Sequence, residues 1–320
     1  MNESYLIKNY FTKLAKKNPS ALNLNDDVFY DKNSKSVISI DTYVEKTHFP
    51  NFKNPGLLIR KIIRSSISDL ICKGVSPKFY FISASGNQST FNKKNLEKIS
   101  NSLKDEQKKF TIKLSGGDTV FSKKTSFTIV SLGFSSKIIK RNNAKINDDI
   151  YLTGDLGDSY LGLRFLQNKT FVKNIYKNYF IKKFYLPKLN LDFSKHLLKF
   201  ANTSIDISDG LLIDLKKMLN KQNVSSEIYY NKIPISKKLK TFLRVNNFLK
   251  KNFVFKGDDY QILFTAPKNK RLQIQKVGKI TNTKVTRVGR ILSKKQSKFS
   301  LLNGNKMIKL PKIPGYEHFF

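Results

Sequence analysis

Tryptophan is absent from the 320-residue chain, cysteine occurs once, histidine three times, and only 23 acidic residues face 60 lysines and arginines. Each shortage excludes something. A lone Cys72 rules out an intrachain disulfide and a thiolate metal centre, and a reducing cytoplasm is the expected compartment. A nucleophilic triad fits badly, because His196 falls in a helical pattern and neither His48 nor His318 has a serine elbow near it. No apolar run reaches the roughly 18 residues of a membrane-spanning helix, so no membrane partner is expected. The N-terminal stretch has no continuous apolar run of the signal-peptide kind. Instead Leu6, Ile7, Tyr10, Phe11 and Leu14 fall on one face of an expected first helix, rich in lysine but not arginine and so unlike a transit peptide.

The deficit of acids leaves a net charge of +37. The lysines are spread through nearly every segment, with no RNP motif, basic tail or arginine stripe, which argues against a specific nucleic-acid partner. Non-specific binding at low salt follows from the charge alone. Against this background the acids are informative, since many sit in short motifs flanked by glycine, serine or threonine rather than scattered among the lysines. What is abundant is apolar: 39% of residues are hydrophobic, including 25 phenylalanines, enough to bury one large core or two of about 150 residues each.

Strands and helices are predicted to alternate. Ser36–Thr42 alternates as a strand ending near Asp41, and a helix from about 56 to 73 carries Ile59, Ile62, Ile63, Ile67, Leu70 and Ile71 on its apolar face, with Asp69 near its end and Gly74 as its stop. A strand at 78–83, a helix at 92–108 and a strand at 110–114 follow, the last running into the glycine turn Ser115–Thr119. A further strand spans 125–134. The polar stretch 135–149 is the expected linker. The second half restarts with a strand at 149–153 and the turn Gly154–Ser159, which suits an ordinary strand-to-helix turn better than a phosphate loop. Strands near 226–230, 261–266, 284–290 and 299–302 and a helix near 236–248 complete the pattern. The fold class is therefore α/β or α+β in two domains, 1–143 and 144–320.

One stretch organises the chemistry. Ser204–Leu215 reads as a strand ending at Asp206, a polar turn at Ser208, Asp209 and Gly210, and a helix beyond. Two carboxylates three residues apart project beside a helix N-terminus, although Ser208 or Asp209 could equally serve as its cap. Asp27, Asp41, Asp69 and Asp118 likewise sit at element ends or glycine turns. If they converge, a pair about 4 Å apart repels by roughly 4 kcal/mol at an effective dielectric near 20, so the cluster needs cations. All-oxygen ligands select a hard ion, and Mg²⁺ held with substrate phosphates suits phosphoryl transfer, which is mostly positioning and charge neutralisation. Asp26 and Asp31 are expected to be solvated, Asp155 and Asp158 to serve turn and cap, and Asp214 to pair with Lys217.

The motifs in order are Asn25-Asp26-Asp27, Ser39-Ile40-Asp41-Thr42 with His48-Phe49, Ser68-Asp69-Leu70, Gly116-Gly117-Asp118-Thr119, Arg141 with Ala144-Lys145, and Tyr151-Leu152-Thr153-Gly154. Ile205–Leu211, Gly257-Asp258-Asp259-Tyr260 and Gly315-Tyr316-Glu317-His318-Phe319 follow. This ordered set, covering nearly the whole chain, resembles the aminoimidazole ribonucleotide synthetase-like ATP enzymes, and the closing motif resembles their thiamine-monophosphate kinase branch.

The resemblance implies an N-terminal mixed-sheet domain that pairs with a second copy in a homodimer barrel, a C-terminal α/β domain, and MgATP in the cleft between them. It implies transfer of the γ-phosphoryl of ATP directly to thiamine monophosphate. By motif position, Asp27, Ser39, Asp41, Asp69, Asp118, Asp206 and Asp209 look like metal ligands, Ile40 contributing only through its backbone. Asp118 and Asp209 look catalytic, Gly117, Asp118, Arg141 and Ser208 look like nucleotide contacts, and His48, Asp258 and Tyr316 look like substrate contacts. The chain departs from the pattern at Asn25 for glycine, Ile40 for threonine, and Asp258 and Gln261 for glutamates. The alternatives are another ATP-using enzyme of the superfamily, a ribonucleotide cyclo-ligase or selenophosphate synthetase, or a basic RNA-binding protein on an inactive scaffold.

Overall fold

Alternation decides the first sheet. Along Ser36–Val44, Val37, Ser39 and Tyr43 are buried while Ile40 and Thr42 between them are exposed, so one face is committed to a core. In the computed structural model, which describes residues 2–169, 175–294, 297–311 and 315–316, the first half runs α1 (Glu3–Leu6), β1 (Phe29–Tyr30), β2 (Ser36–Val44), α2 (Pro55–Cys72), β3 (Pro77–Gly86), α3 (Lys93–Phe110), β4 (Lys113–Phe121) and β5 (Ser126–Phe134). The strands form a five-stranded mixed sheet in the order β1-β2-β5-β3-β4, with only β3 and β4 parallel.

The second half runs β6 (Asp149–Thr153), α4 (Asp158–Leu166), α5 (Lys177–Tyr185), α6 (Leu191–Ser194), β7 (Thr203–Asp206), α7 (Leu211–Met218), β8 (Val224–Tyr229), α8 (Lys237–Val245), α9 (Lys251–Val254), β9 (Ile262–Ala266), α10 (Arg271–Ile280), β10 (Val285–Ser293), β11 (Phe299–Asn303) and β12 (Lys306–Met307). Its seven-stranded mixed sheet has the order β12-β11-β8-β10-β6-β9-β7, with β8 and β11 parallel. The fold is mixed α/β, as the alternating elements imply.

α2 is the hinge of the architecture. Its expected apolar stripe packs under the first sheet, but Lys61, Arg64, Ser65, Ser66 and Ser68 are buried too, because β7 and α5 cover its other flank. One hydrophobic core runs from Tyr43 and Ile129 through Ile62 and Ile67 of α2 to Phe184, Phe193 and Phe264. Each such apolar side chain contributes about 1.5–3 kcal/mol on burial. A second core, with Leu152, Ile205, Leu211, Leu263 and Val288, lies against the other half's sheet and helices. Of the polar side chains of α2, Lys61, Arg64 and Ser68 reach Asp258, Pro187 and Asp206 of the second half.

Two expectations are corrected. The strand placed at 110–114 starts later: α3 runs through Phe110, Thr111 closes it in the left-handed region, and β4 begins at Lys113. Ser115–Thr119 is then no turn but part of β4, with a bulge where Tyr80 pairs with Leu114 and Ile82 with Gly117. The N-terminal segment is helical, yet Tyr10, Phe11 and Leu14 of its apolar face are exposed. Among the described residues no helix is long and apolar enough to cross a membrane.

Candidate functional site

The organising stretch folds as strand, turn and helix, and local chemistry explains how. β7 is buried along its length and ends at Asp206. Gly210 sits at φ +129, and a Cβ there would lie 2.3 Å from the Phe255 carbonyl oxygen, so only glycine allows the chain to turn into α7. Neither Ser208 nor Asp209 provides a cap on α7. Asp214 does so from the first turn, accepting the N–H of Asp209 at 3.1 Å and of Gly210 at 2.9 Å. This corrects the expected Asp214–Lys217 pair: Lys217 instead grips Asp209 at 2.5 Å. The Asp209 carboxylate is thus tied to the last turn of α7.

The last turn of α2 meets this turn. Ser68 Oγ donates to Asp206 Oδ2 at 2.5 Å. Asp41 lies on the inner face of β2, where Tyr43 donates a 3.3 Å hydrogen bond to it. Mutual repulsion identifies one cluster. Burial, then the charge of Asp206, pushes the Asp41 carboxyl up to about 7. Burial, then Asp41 and Asp206, pushes Asp69 well above the ordinary range. Asp206 is raised by its own burial, and Asp209 adds to the rise. Asp41, Asp69 and Asp206 therefore crowd one another, and among the described residues none makes an ion pair.

The neighbouring acids differ. Lys73, fully buried four residues after Asp69, reaches Asp26 at 2.7 Å and Asp27 at 3.0 Å. Arg141 binds both oxygens of Asp27, and its backbone N–H donates to Asp26 at 2.9 Å. Asp26, expected in solvent, has a side chain only 4% exposed; its partner comes from a distant helix. Asp31 stays in a local turn with Ser34. Among the described residues no three acid, histidine or cysteine side chains stand ready to hold an ion as placed, and lysine and arginine take up Asp26, Asp27 and Asp209. Asp41, Asp69 and Asp206 nevertheless form an all-oxygen set without an ion pair among the described residues, with Asp209 beside them on Lys217, and this donor chemistry suits a hard divalent ion.

The remaining candidates divide. Ser39 is buried on the same side of β2 as Asp41 and donates to the Ser66 carbonyl at 3.3 Å. Ile40 points the other way and is 67% exposed, so its backbone alone is available to the cluster. Ser208 Oγ lies 3.4 Å from Asp206 Oδ1. Asp118 is not brought into the cluster within one chain. It pairs with Ser83, which pairs with Thr128, which faces Thr42 on the outer side of the sheet. At Gly117 a Cβ would lie 2.0 Å from the Ile82 carbonyl oxygen, so the neighbouring strand explains that glycine.

The three candidate substrate contacts approach from other directions. His48 accepts the Val44 N–H at 2.9 Å and packs edge-on against Tyr43, 6.0 Å between ring centres. Asp258 pairs with Lys61 at 2.6 Å and accepts from the Tyr260 hydroxyl at 3.1 Å. Lys61, only 3% exposed, lies 4.0 Å from the Phe184 ring centre and 5.0 Å from that of Tyr260. The Tyr316 N–H donates to the Asp209 carbonyl at 2.9 Å, while Glu317, His318 and Phe319 lie outside the described residues. Lys61 and Lys73 escaped the sequence reading, and Lys217 and Tyr260 entered it without a part in the site. Its available signal was lysine within an otherwise apolar helix, at 61, and a lysine four residues after an acid, at 73.

The turn at Gly154–Ser159 is filled by the protein itself. Gly157 N–H donates to Asp259 at 2.9 Å, and the Gln261 side chain accepts from Thr153 and Asn190 and donates to the Lys188 and Asp259 carbonyls. Asp158 takes hydrogen bonds from Ser236 and Tyr179, and Asp155 pairs with Lys284. The turn is structural, and Gln261 is satisfied as it stands.

Comparison with known proteins follows the same lines. Residues 24–135 match the family model of AIR synthase related protein, N-terminal domain. The chain is 35% identical to the thiamine-monophosphate kinase of Buchnera aphidicola subsp. Acyrthosiphon pisum (strain APS), covering 99% of this chain and 98% of that protein. It is 30% identical to the enzyme of that name from Haemophilus influenzae, covering 100% and 98%. Among solved structures, AaThiL complexed with AMPPCP and TMP superposes with a TM-score of 0.84 at 26% identity, covering 99% and 97%. The hydrogenase maturation protein HypE from E. coli, at 14% identity and a TM-score of 0.67, shares the fold.

Proposed function

Since the chain belongs to the thiamine-monophosphate kinase family, we propose that it transfers the γ-phosphoryl group of ATP to thiamine monophosphate, giving thiamine diphosphate and ADP. The observation that carries this reading is full-length likeness combined with a buried acid cluster where the two sheets meet around α2. A phosphate oxygen of the acceptor attacks Pγ, the bond from Pγ to the β-bridging oxygen breaks, and ADP leaves with that electron pair. The nucleophile is already anionic, so no general base is needed, in keeping with a cluster that contains no histidine. The demand is charge neutralisation and alignment.

We assign Mg²⁺ to Asp41, Asp69, Asp206 and Asp209, with Asp27, Ser39 and the Ile40 backbone at the border. Bound there, the ion supplies positive charge to the transferring phosphoryl group. The raised Asp41 and Asp69 carboxyls support this assignment, because a nearby divalent charge is what would hold both ionised at neutral pH. Arg141 and Ser208 are assigned to the nucleotide, and their adjacency to Asp27 and Asp206 supports that. His48, Asp258 and Tyr316 are assigned to thiamine monophosphate, with Tyr43, Tyr260 and Lys61 as the wall between them.

We read the chain as two units, 1–143 and 144–320, and as a cytoplasmic homodimer. The outer face of the first sheet supports the dimer, since Ile40, Phe81, Val120 and Phe134 are exposed and unpartnered apolar faces of this kind mark interaction surfaces. Asp118 lies on that face together with them, so the part we assign it in nucleotide binding and catalysis, with Gly117 beside it, depends on a second copy packing there. Sedimentation velocity tests the dimer.

The decisive assay incubates purified protein with MgATP and thiamine monophosphate and follows thiamine diphosphate by chromatography. Product formation is expected. A folded protein that makes none refutes the reading. Asp209→Asn should lower the rate by on the order of 10²-fold or more, as for lost electrostatic stabilisation elsewhere.

A further inference from the structure

The acids of the site are not equivalent, and the difference is where their positive charge comes from. Lys73 is completely buried, and its ammonium donates to the Ser204 carbonyl at 2.9 Å and forms ion pairs with Asp26 at 2.7 Å and Asp27 at 3.0 Å. Arg141 holds the rest of the pair, its Nε at 3.1 Å from Asp27 and its backbone N–H at 2.9 Å from Asp26. Two carboxylates thus meet two cations in a closed, neutral set. Across the same site Asp41, Asp69 and Asp206 make no ion pair among the described residues, and the more distant pull of Lys73 and Arg141 leaves Asp69 and Asp206 raised. Desolvating an ammonium is expensive unless its partners are well placed, so one fixed by three acceptors, with no exposure to water, does not leave readily.

We propose that Lys73 is a resident counter-ion that permanently fills the Asp26/Asp27 corner of the site, so that Asp27 carries no divalent ion and the divalent charge is taken at Asp41, Asp69 and Asp206. This rests on the reading of the acid cluster as a divalent-ion site and sharpens it, because it removes Asp27 from the ligand set that the resemblance implies. It also separates two jobs. Lys73 and Arg141 balance Asp26 and Asp27 together, Lys73 as the fully buried member and the Arg141 guanidinium, 12% exposed, as the member that an anionic ligand can reach.

The test counts Mn²⁺ ions, by the electron paramagnetic resonance signal of the free ion, on wild-type protein with a non-hydrolysable ATP analogue. Lys73→Met, which keeps the length of the side chain and removes its charge, should bind one more Mn²⁺ per chain than wild type. In chelator it should melt lower by on the order of 10 °C, as expected for a broken buried ion pair, and Mn²⁺ should restore most of that loss. Asp27→Asn should bind the wild-type number of ions, and it decides the matter if Lys73→Met does not fold. An unchanged count in folded Lys73→Met, or an ion lost from Asp27→Asn, overturns the assignment of Lys73 and leaves the divalent-ion site standing. Wild-type protein that binds no Mn²⁺ at all overturns both.

Discussion

Replacing Asp41 by asparagine should make the protein more stable and nearly inactive. The Asp41 carboxyl, which accepts a 3.3 Å hydrogen bond from Tyr43, is raised from 3.8 to about 7 by burial and by Asp206. The sign follows from which state ionises first. Below 3.8 neither the folded nor the unfolded chain is ionised at this position, and there is no cost. Between 3.8 and about 7 only the unfolded chain ionises, and the fold loses stability as pH rises. Above about 7 both are ionised and the cost is complete, at about 4 kcal/mol when each pH decade counts about 1.4 kcal/mol. Because Asp69 and Asp206 share the same repulsion, a recoverable gain of about 1–3 kcal/mol is the expected outcome. Asparagine keeps the acceptor for Tyr43 and removes the charge. The assay is urea unfolding in chelator at pH 8 and again near pH 5, with the gain larger at pH 8. Mg²⁺ with nucleotide should then stabilise wild type more than the variant, as linkage requires of a ligand that binds only the folded form, and phosphoryl transfer should fall on the order of 10²-fold or more. A variant no more stable than wild type in chelator at pH 8 would refute the argument that an uncompensated charge sits there.

Other positions test other parts of the reasoning. Lys61→Met, which takes the buried cation from Asp258, should raise KM for thiamine monophosphate about tenfold, the equivalent of about 1.4 kcal/mol, while leaving KM for ATP nearly unchanged; equal shifts in both would place Lys61 in general packing. Gly257→Ala puts a Cβ 2.3 Å from the Ser208 carbonyl at φ +81, and strain of that kind should cost about 1–3 kcal/mol and displace the Asp209 turn, measured by denaturation and by nucleotide affinity. Arg64→Met leaves Glu106, 1% exposed and held at 2.7 and 2.8 Å by that arginine, buried without its guanidinium. A loss of about 3–5 kcal/mol is expected, with partial recovery when Glu106→Gln is added; full stability in the single variant would show that the pair contributes nothing.

Much of the fold was legible because burial leaves a period in the chain. β2 could be read from Val37, Ser39 and Tyr43 alternating with Ile38, Ile40 and Thr42, and α2 from its stripe of isoleucines. The misreadings share one cause, long-range pairing that overrides a local rule. Gly116 and Gly117 signal a turn to any local reading, yet β3 draws them into β4 through a bulge that only glycine accommodates. Asp26 stands among polar neighbours in sequence, and its burial is set by Lys73, which arrives from the end of a helix far along the chain. Asp214 has Lys217 one turn away, but the unpaired N–H groups at the start of α7 offer it a better partner.

By itself the sequence determined which residue types were available for chemistry: an all-oxygen set of aspartates at element ends, in an order shared with one family, with too little histidine and cysteine for most alternatives. Only the tertiary structure decided which of those aspartates carry uncompensated charge. That depends on distance and dielectric, and both are set by how β2, the end of α2 and the β7–α7 turn come together. The same packing that leaves Asp41, Asp69 and Asp206 without an ion pair delivers Lys73 and Arg141 directly to Asp26 and Asp27, and no local pattern in the chain distinguishes the two groups.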